Sequence, residues 1–366
     1  MTSPVPETPA RLRGVAAQER TLAAADPMTE WWHPVGWAAE VGDRPHRTVL
    51  LGRPLVLWRD ADGTVRCLRD LCVHRGTALS LGEVHDGQIV CPYHGWRFGG
   101  DGHCTAIPQL PRDRPVPAGA AVPAFACEER YGLVWVCLAE RPRAPIPDFP
   151  EWDRPGFRHA PCPPYTWRSS AARMVENFTD FGHLGWLHDG LLGSRDDLVV
   201  PEHTVRRRGH ELHYALSMDV PSADGVNDTG EDGGGAMTNT YVLSLPHAIH
   251  LRSHYPDTGR SRVLFFAAQP VDAHTSTGYC YQSRDFDLDG DDRRYTDFQE
   301  LLAEQDRLVV ESQRPEQLPM DLADELHLKF DRVAVEYRKA LADHHYPATG
   351  PAPACEGARE GDLAWT

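Results

Sequence analysis

Residues 71–76 read L-C-V-H-R-G and residues 91–96 read C-P-Y-H-G-W. Cys72, His74, Cys91 and His94 thus spell C-x-H, sixteen intervening residues, then C-x-x-H. Two thiolates with two imidazoles suit a [2Fe–2S] centre in which Cys binds one iron and His the other. The same donor set also suits tetrahedral zinc. Three features favour the cluster. Each Cys precedes its own His by two or three residues, so each hairpin tip offers one ligand of each kind. Gly76 and Gly95 follow closely, as tight loops around a sulfide core require. Strand-like runs, rather than a finger helix, flank both pairs.

The stretch 31–135 resembles the Rieske domain of the Rieske non-haem iron oxygenases, with C-x-H-R-G and C-P-Y-H-G-W as its specific pieces. A Rieske domain alone could simply carry electrons. A second constellation argues otherwise. Residues 176–190 read E-N-F-T-D-F-G-H-L-G-W-L-H-D-G, with Asn177, Asp180, His183 and His188 in N-x-x-D-x-x-H-x-x-x-x-H spacing. This resembles the mononuclear-iron motif of the same family. The resemblance implies His183 and His188 as the imidazoles of a 2-His-1-carboxylate face that leaves positions open on Fe(II). On an ideal α-helix their five-residue gap separates them by about 140°. A π-type widening or a break is therefore expected, eased by Gly182 and Gly185. An amphipathic helix with two incidental histidines is the alternative.

Helical phase points to the carboxylate. Residues 295–313 place Phe298, Leu301, Leu302, Gln305, Leu308 and Val309 on one face at i, i+3, i+4 spacing. Asp306 lies at the edge of that stripe, while Asp297, Glu300, Glu304 and Glu311 project away. A half-buried carboxylate needs a partner, so a metal or cation is expected beside Asp306. The segment Asp306-Arg-Leu-Val-Val-Glu311 also resembles the family's third-ligand helix. An acid at the rim of a packed helix is the plainer alternative. Asp180, three residues before His183, falls on the same helical face and can orient its ring. In the family the matching acid bridges a Rieske histidine of one subunit to an iron histidine of the next. The resemblance therefore implies a path from His94 of one chain through Asp180 of its neighbour to His183, and with it a ring of subunits, most simply a trimer.

The chain has 366 residues, 41% hydrophobic and 25% charged, which suits about two ordinary globular domains. No apolar run is long enough to span a membrane, and the N-terminus carries no secretory signal. A net charge of −16 argues against nucleic-acid binding. Arg69, Arg75, Arg97, Arg112 and Arg114 flank the cluster loops and could meet an acidic ferredoxin, or be scattered surface arginines. The nine cysteines show no disulfide framework, which suits the cytoplasm.

The expected fold class is α+β: an all-β Rieske domain over 28–145, then a catalytic domain over 146–345 of antiparallel sheet covered by helices. Residues 1–27 read as a disordered lead and 346–366 as a flexible tail. Strands are expected over 47–58, 64–68, 88–90, 96–98, 132–138, 203–220, 237–252, 261–269 and 278–287. The proline-rich stretch 141–152 reads as a linker. Helices are expected over 295–313 and about 321–343. The loop 221–236 is a lid or a plain loop. Residues 237–286 and the start of the 295 helix should line the pocket, with His247, Phe266 and Phe298 as particular candidates beside their plain core reading.

The resemblance implies an oxygenase component that uses O2 and electrons from NAD(P)H, delivered by a separate ferredoxin or flavin reductase. Hydroxylation or demethylation of a small aromatic or heterocyclic compound is the leading expectation. A natural-product tailoring oxygenase is the second, performing desaturation, cyclisation or hydroxylation. An electron-transfer protein with a degenerate second iron site is the third.

Overall fold

The computed structural model describes residues 26–230 and 234–346. The lead, apart from its last two residues, the tail beyond residue 346 and the middle of the 221–236 loop lie outside the described residues. The first part is all antiparallel strands: β1 (His33–Trp37), β2 (His46–Leu50), β3 (Arg53–Arg59), β4 (Val65–Arg69), β5 (Glu83–His85), β6 (Gln88–Val90), β7 (Arg97–Phe98), β8 (Cys104–Ala106), β9 (Ala126–Arg130) and β10 (Leu133–Cys137). They form three small sheets, ordered β1-β10-β9, β2-β3-β4 and β5-β6-β7-β8.

The second part is one large antiparallel sheet. Its strands are β11 (Arg158–Pro161), β12 (Tyr165–Trp167), β13 (Val205–Arg208), β14 (Glu211–Val220), β15 (Gly235–Ser244), β16 (Ala248–Tyr255), β17 (Arg260–Pro270) and β18 (Ser276–Arg284). The order is β11-β18-β17-β16-β15-β14-β13, with β12 also pairing β18. Among the described residues the α-helices are α1 (Ala171–Asn177), α2 (Leu184–Leu187), α3 (Arg293–Val310) and α4 (Arg332–Asp343).

β17 shows why the sheet sits where it does. Alternate residues of a strand face opposite sides, and here both sides are covered. Val263, Phe265 and Ala267 pack with Trp32, Leu133 and Trp135 of the first part. Leu264, Phe266 and Ala268 pack beneath α1 and α4 residues such as Met174, Val175 and Tyr337. Fully burying one such large side chain stabilises by roughly 1.5–3 kcal/mol, so the two parts share a substantial core.

The stretch 141–152 is not a free tether. Ile146 and Phe149 are buried, and Phe149 stacks on Phe265 with ring centroids 4.6 Å apart. Glu151, also buried, bonds His250 Nε2 at 2.7 Å. The described part of the 221–236 loop is likewise pinned rather than loose. Asn227 is 1% exposed and donates to Leu191 O and Pro221 O.

Two helical expectations change. The last helix begins at Arg332, not near 321, because Asp321 accepts from the Ala323 N–H and Asp331 from the Leu328 N–H. Such local side-chain bonds hold short 3-10 turns in place of a helix. On α3 the buried residues are Tyr295, Phe298, Gln299, Leu302, Ala303, Asp306 and Val310, whereas Leu301, Leu308 and Val309 are exposed. The inward stripe is rotated from the one the apolar residues suggest. Asp306 therefore lies within it, not at its edge.

Candidate metal centres

Cys91 and His94 occupy the β6–β7 hairpin tip, since Ile89 pairs with Phe98 and Val90 with Arg97. Cys72 and His74 lie on the connection from β4 into the next sheet, so only the second pair sits on a hairpin. The two loops nevertheless share one hydrogen-bond pattern. Gly76 N–H donates to Cys72 O and Cys72 N–H to Thr77 O; Gly95 N–H donates to Cys91 O and Cys91 N–H to Trp96 O. Both glycines take the left-handed conformation, φ 72° and 71°, that lets the chain turn back on its ligand.

The two thiols are buried against Trp58, Ile89 and Phe98. Burial, with the neighbouring Cys91, pushes the Cys72 thiol pKa up, so a cation is needed to hold a thiolate there. The imidazoles face each other through Nδ1, 3.2 Å apart. His74 also stacks on Trp96, with centroids 4.5 Å apart and planes 6° apart. Among the described residues, the only three or more donor side chains converging within 4.8 Å lie elsewhere. Thiol paired with thiol and imidazole with imidazole, without closure around one point, fits a two-iron cluster better than one zinc ion.

The converging donors are His183, His188 and Asp306. Local folding brings the histidines together. Ser170 caps α1 by accepting from the Arg173 N–H, and α1 ends at Asn177 with Phe178 seated on Phe266. Asp180 Oδ1 accepts from the Gly182 N–H at 2.7 Å, turning the chain. One short helix, α2, follows, with His183 at its N-cap and His188 at its C-cap. The chain breaks before His183 and leaves the helix again at His188 (φ −104°, ψ 38°), with no π-widening between them, and Asp180 stands in the turn rather than on a helical face. Gly185 matters through space rather than φ: a Cβ there would meet Ser194 O at 2.9 Å. The two rings end 5.1 Å apart. The helix behind them is anchored where Arg338 bonds both Glu176 oxygens at 2.6 Å.

Asp306 Oδ1 lies 3.1 Å from His188 Nε2 and 3.7 Å from His183 Nε2, and has no hydrogen-bond donor. A buried carboxylate oxygen facing two imidazole nitrogens suits a divalent metal. On the far sides of the rings, His188 Nδ1 meets Gln305 Oε1 at 2.7 Å and His183 Nδ1 meets Asp180 Oδ2 at 3.3 Å. Burial opposes charging His188, but Asp306 and Gln305 outweigh it and raise its pKa. Burial likewise opposes ionising Asp180, yet His183 and the Gly182 N–H hold its pKa below the ordinary value. Glu304 and Glu311 are engaged elsewhere, with Arg307 and Arg168.

These donors line a cavity of about 780 Å³ of empty space, mouth included. Asn177, Phe178, Phe181, Met218, Met237, Tyr241, Leu251, Leu264, Phe298 and Leu302 supply much of its wall, and Asn239, Ser253, Arg262, Gln282 and Gln299 its polar side. Phe298 thus lines the cavity. Phe266 lies below it under Phe178, and His247 packs elsewhere, beside His33 and Tyr346. Sequence reading missed the roles of Gln305 and Arg262. A cation on the same strand face as Leu264 and Phe266 was the available signal for Arg262.

The comparisons agree with this geometry. A profile for the Rieske [2Fe–2S] domain matches residues 31–126, and one for the vanillate O-demethylase oxygenase C-terminal domain matches residues 167–345. Methylxanthine N1-demethylase NdmA of Pseudomonas putida is 33% identical over 86% of this chain and 89% of its own. Methylxanthine N3-demethylase NdmB of the same species is 30% identical over 85% and 88%. A solved structure of Pseudomonas putida NdmA with caffeine superposes with a TM-score of 0.77 at 32% identity, covering 88% of this chain and 90% of that one. The chain belongs to the Rieske non-haem iron oxygenases. It is an O2-dependent oxidoreductase with a [2Fe–2S] cluster and a mononuclear iron, supplied with electrons from NAD(P)H through a separate reductase or ferredoxin. No helix among the described residues is long and apolar enough to cross a membrane.

Proposed function

We propose that this chain hydroxylates or demethylates a small aromatic or heteroaromatic compound, with Cys72, His74, Cys91 and His94 holding the cluster and His183, His188 and Asp306 the mononuclear iron. The observation that carries the reading is the convergence of those last three donors at the wall of a largely apolar cavity. When bound, the two metal centres supply electron relay and O2 activation. The protein supplies the rest. Gln305 and Asp180 orient His188 and His183 from behind. The apolar wall excludes water and sets a flat ring beside the donors. For a demethylation, substrate, O2, two electrons and two protons give the demethylated product, formaldehyde and water.

The division into a cluster domain over 28–145 and a catalytic domain over 146–345 is part of this proposal, as is a cyclic trimer. Asp180 is 43% exposed at its side chain while still holding His183, so its outer edge is free to meet a neighbour's His94. Exposed Phe330, Leu326 and Val309 lie nearby on the same side, as a subunit contact requires. Buried Cys162 and Cys280 lie side by side as free thiols, which supports a reducing, cytoplasmic setting.

The test is a substrate screen with reductase and NADH, read by product mass and formaldehyde. Purified protein should carry about three irons per chain. About two irons, with no O2-dependent product, would make it an electron carrier.

A further inference from the structure

The large sheet places one unbalanced cation in the cavity. Register aligns Asn239 with Ser253, Ser253 with Arg262, and Arg262 with Arg284, a single row across β15 to β18. The two arginines in that row are treated differently. Arg284 bonds Asp292 Oδ1 at 2.9 Å. Arg262 has no carboxylate within 4 Å among the described residues. Its Nη2 donates to the neutral amide oxygen of Asn227 at 3.0 Å, and its guanidinium lies 5.3 Å from the Phe298 ring centroid. Its Nη1 is buried without any partner, and the whole residue is 7% exposed. Arg262 lines the same cavity as His183, His188 and Asp306.

A guanidinium stays protonated in proteins. A buried charge without a counter-charge is costly, by several kcal/mol in general. It persists when its partner arrives from outside. The fork geometry of arginine matches a planar carboxylate through two parallel hydrogen bonds. We infer that Arg262 anchors an anionic group of the substrate, and that the compounds this enzyme takes are aromatic or heteroaromatic carboxylic acids. The inference rests on the oxygenase reading of the cavity and narrows it. The methylxanthines named for the relatives carry no carboxylate, so the inferred compounds are of another class than those. Gln282 Oε1 and Asn239 Oδ1, buried and unpaired on the same wall, remain for ring N–H or hydroxyl groups.

Binding to the iron-loaded enzyme, measured without O2 by calorimetry, tests this. The probes are benzoate with benzamide and 2-naphthoate with 2-naphthamide, pairs of one shape and two charges. At least one acid should bind about tenfold or more tighter than its amide. Arg262→Gln should bring that ratio to about one, and Arg262→Lys should keep the acid preferred. Asn227→Asp supplies an internal counter-charge without altering Arg262, and should weaken the acid while sparing the amide. Equal binding of acid and amide by the wild type, no binding by any of the four probes, or a preference that survives both Arg262→Gln and Asn227→Asp, overturns the inference. Iron content, about three per chain against about two for a carrier, tests the oxygenase reading separately, with no ligand needed.

Discussion

Gln305 Oε1 stands 2.7 Å from Nδ1 of His188, on the far side of the ring from Asp306. An amide oxygen there accepts a hydrogen bond from the Nδ1–H, which leaves the Nε2 lone pair pointing at the carboxylate. One helix therefore supplies both a candidate ligand and the group that sets its partner's tautomer, from consecutive positions. Replacing Gln305 with Leu should lower iron affinity by roughly 10–100-fold, the usual effect of losing such a support. Gln305→Glu should retain more iron than Gln305→Leu. Iron titration of the apo-enzyme checks both, and unchanged affinity in Gln305→Leu would show that the contact does no orienting.

His183→Ala and His188→Ala should each lower iron from about three to about two per chain, abolish turnover, and leave the visible spectrum of the cluster intact. The cluster donors sit on loops of the small sheets and the other three on α2 and α3, so one set can be lost without the other. Loss of the cluster absorption in a folded variant would contradict this division.

Asp306→Ala should lose mononuclear iron, whereas Glu304→Ala and Glu311→Ala should keep it. Only Asp306 faces the histidines; Glu304 and Glu311 are paired with Arg307 and Arg168. Metal analysis of the three purified variants decides. Iron loss confined to Glu311→Ala would move the ligand.

Asp180→Asn should keep all the iron yet pass electrons between the centres slowly. The substitution preserves shape but weakens the charge-assisted bond to the His183 ring and the one proposed to a neighbouring subunit's His94. Stopped-flow reoxidation of the reduced cluster with substrate and O2 measures it. An ordinary rate, or a fully active monomer in solution, would remove both the bridge and the ring.

Glu151→Gln should destabilise the packing of the 141–152 stretch by about 1–3 kcal/mol. Burial opposes ionisation of Glu151, but the hydrogen bond and charge of His250, with Arg252, outweigh it and hold its pKa below the usual value. A depressed folded pKa means the contribution is full above the unfolded carboxylate's pKa and is lost as pH falls through the folded one. The gap in melting temperature between wild type and Glu151→Gln should therefore be widest near neutral pH and narrow in acid. A gap independent of pH would mean that shape, not charge, matters there.

The donor types and the architecture were legible along the chain because spacing within a loop is a local property. C-x-H, C-x-x-H and the two histidines of 176–190 carry their chemistry in a few consecutive residues. Alternation likewise showed the strands of the large sheet. What the chain order did not show depends on how distant segments meet. Apolar residues on α3 suggested a stripe of Phe298, Leu301, Leu302, Gln305, Leu308 and Val309; packing against the sheet keeps Phe298 and Leu302 inward, adds Asp306 to them, and leaves Leu301, Leu308 and Val309 exposed. The break before His183 is set by the Asp180 turn, and His247 was drawn away to His33 by the fold of the first strand. Arg262 reads as one more charge at a strand start. Only the register of β15 to β18 puts it in a row with Asn239, and only the lack of a carboxylate within 4 Å among the described residues makes it available to a ligand. Alternation tells which residues of a strand share a face; which strands lie beside it, and what covers that face, is settled by burial of the whole sheet.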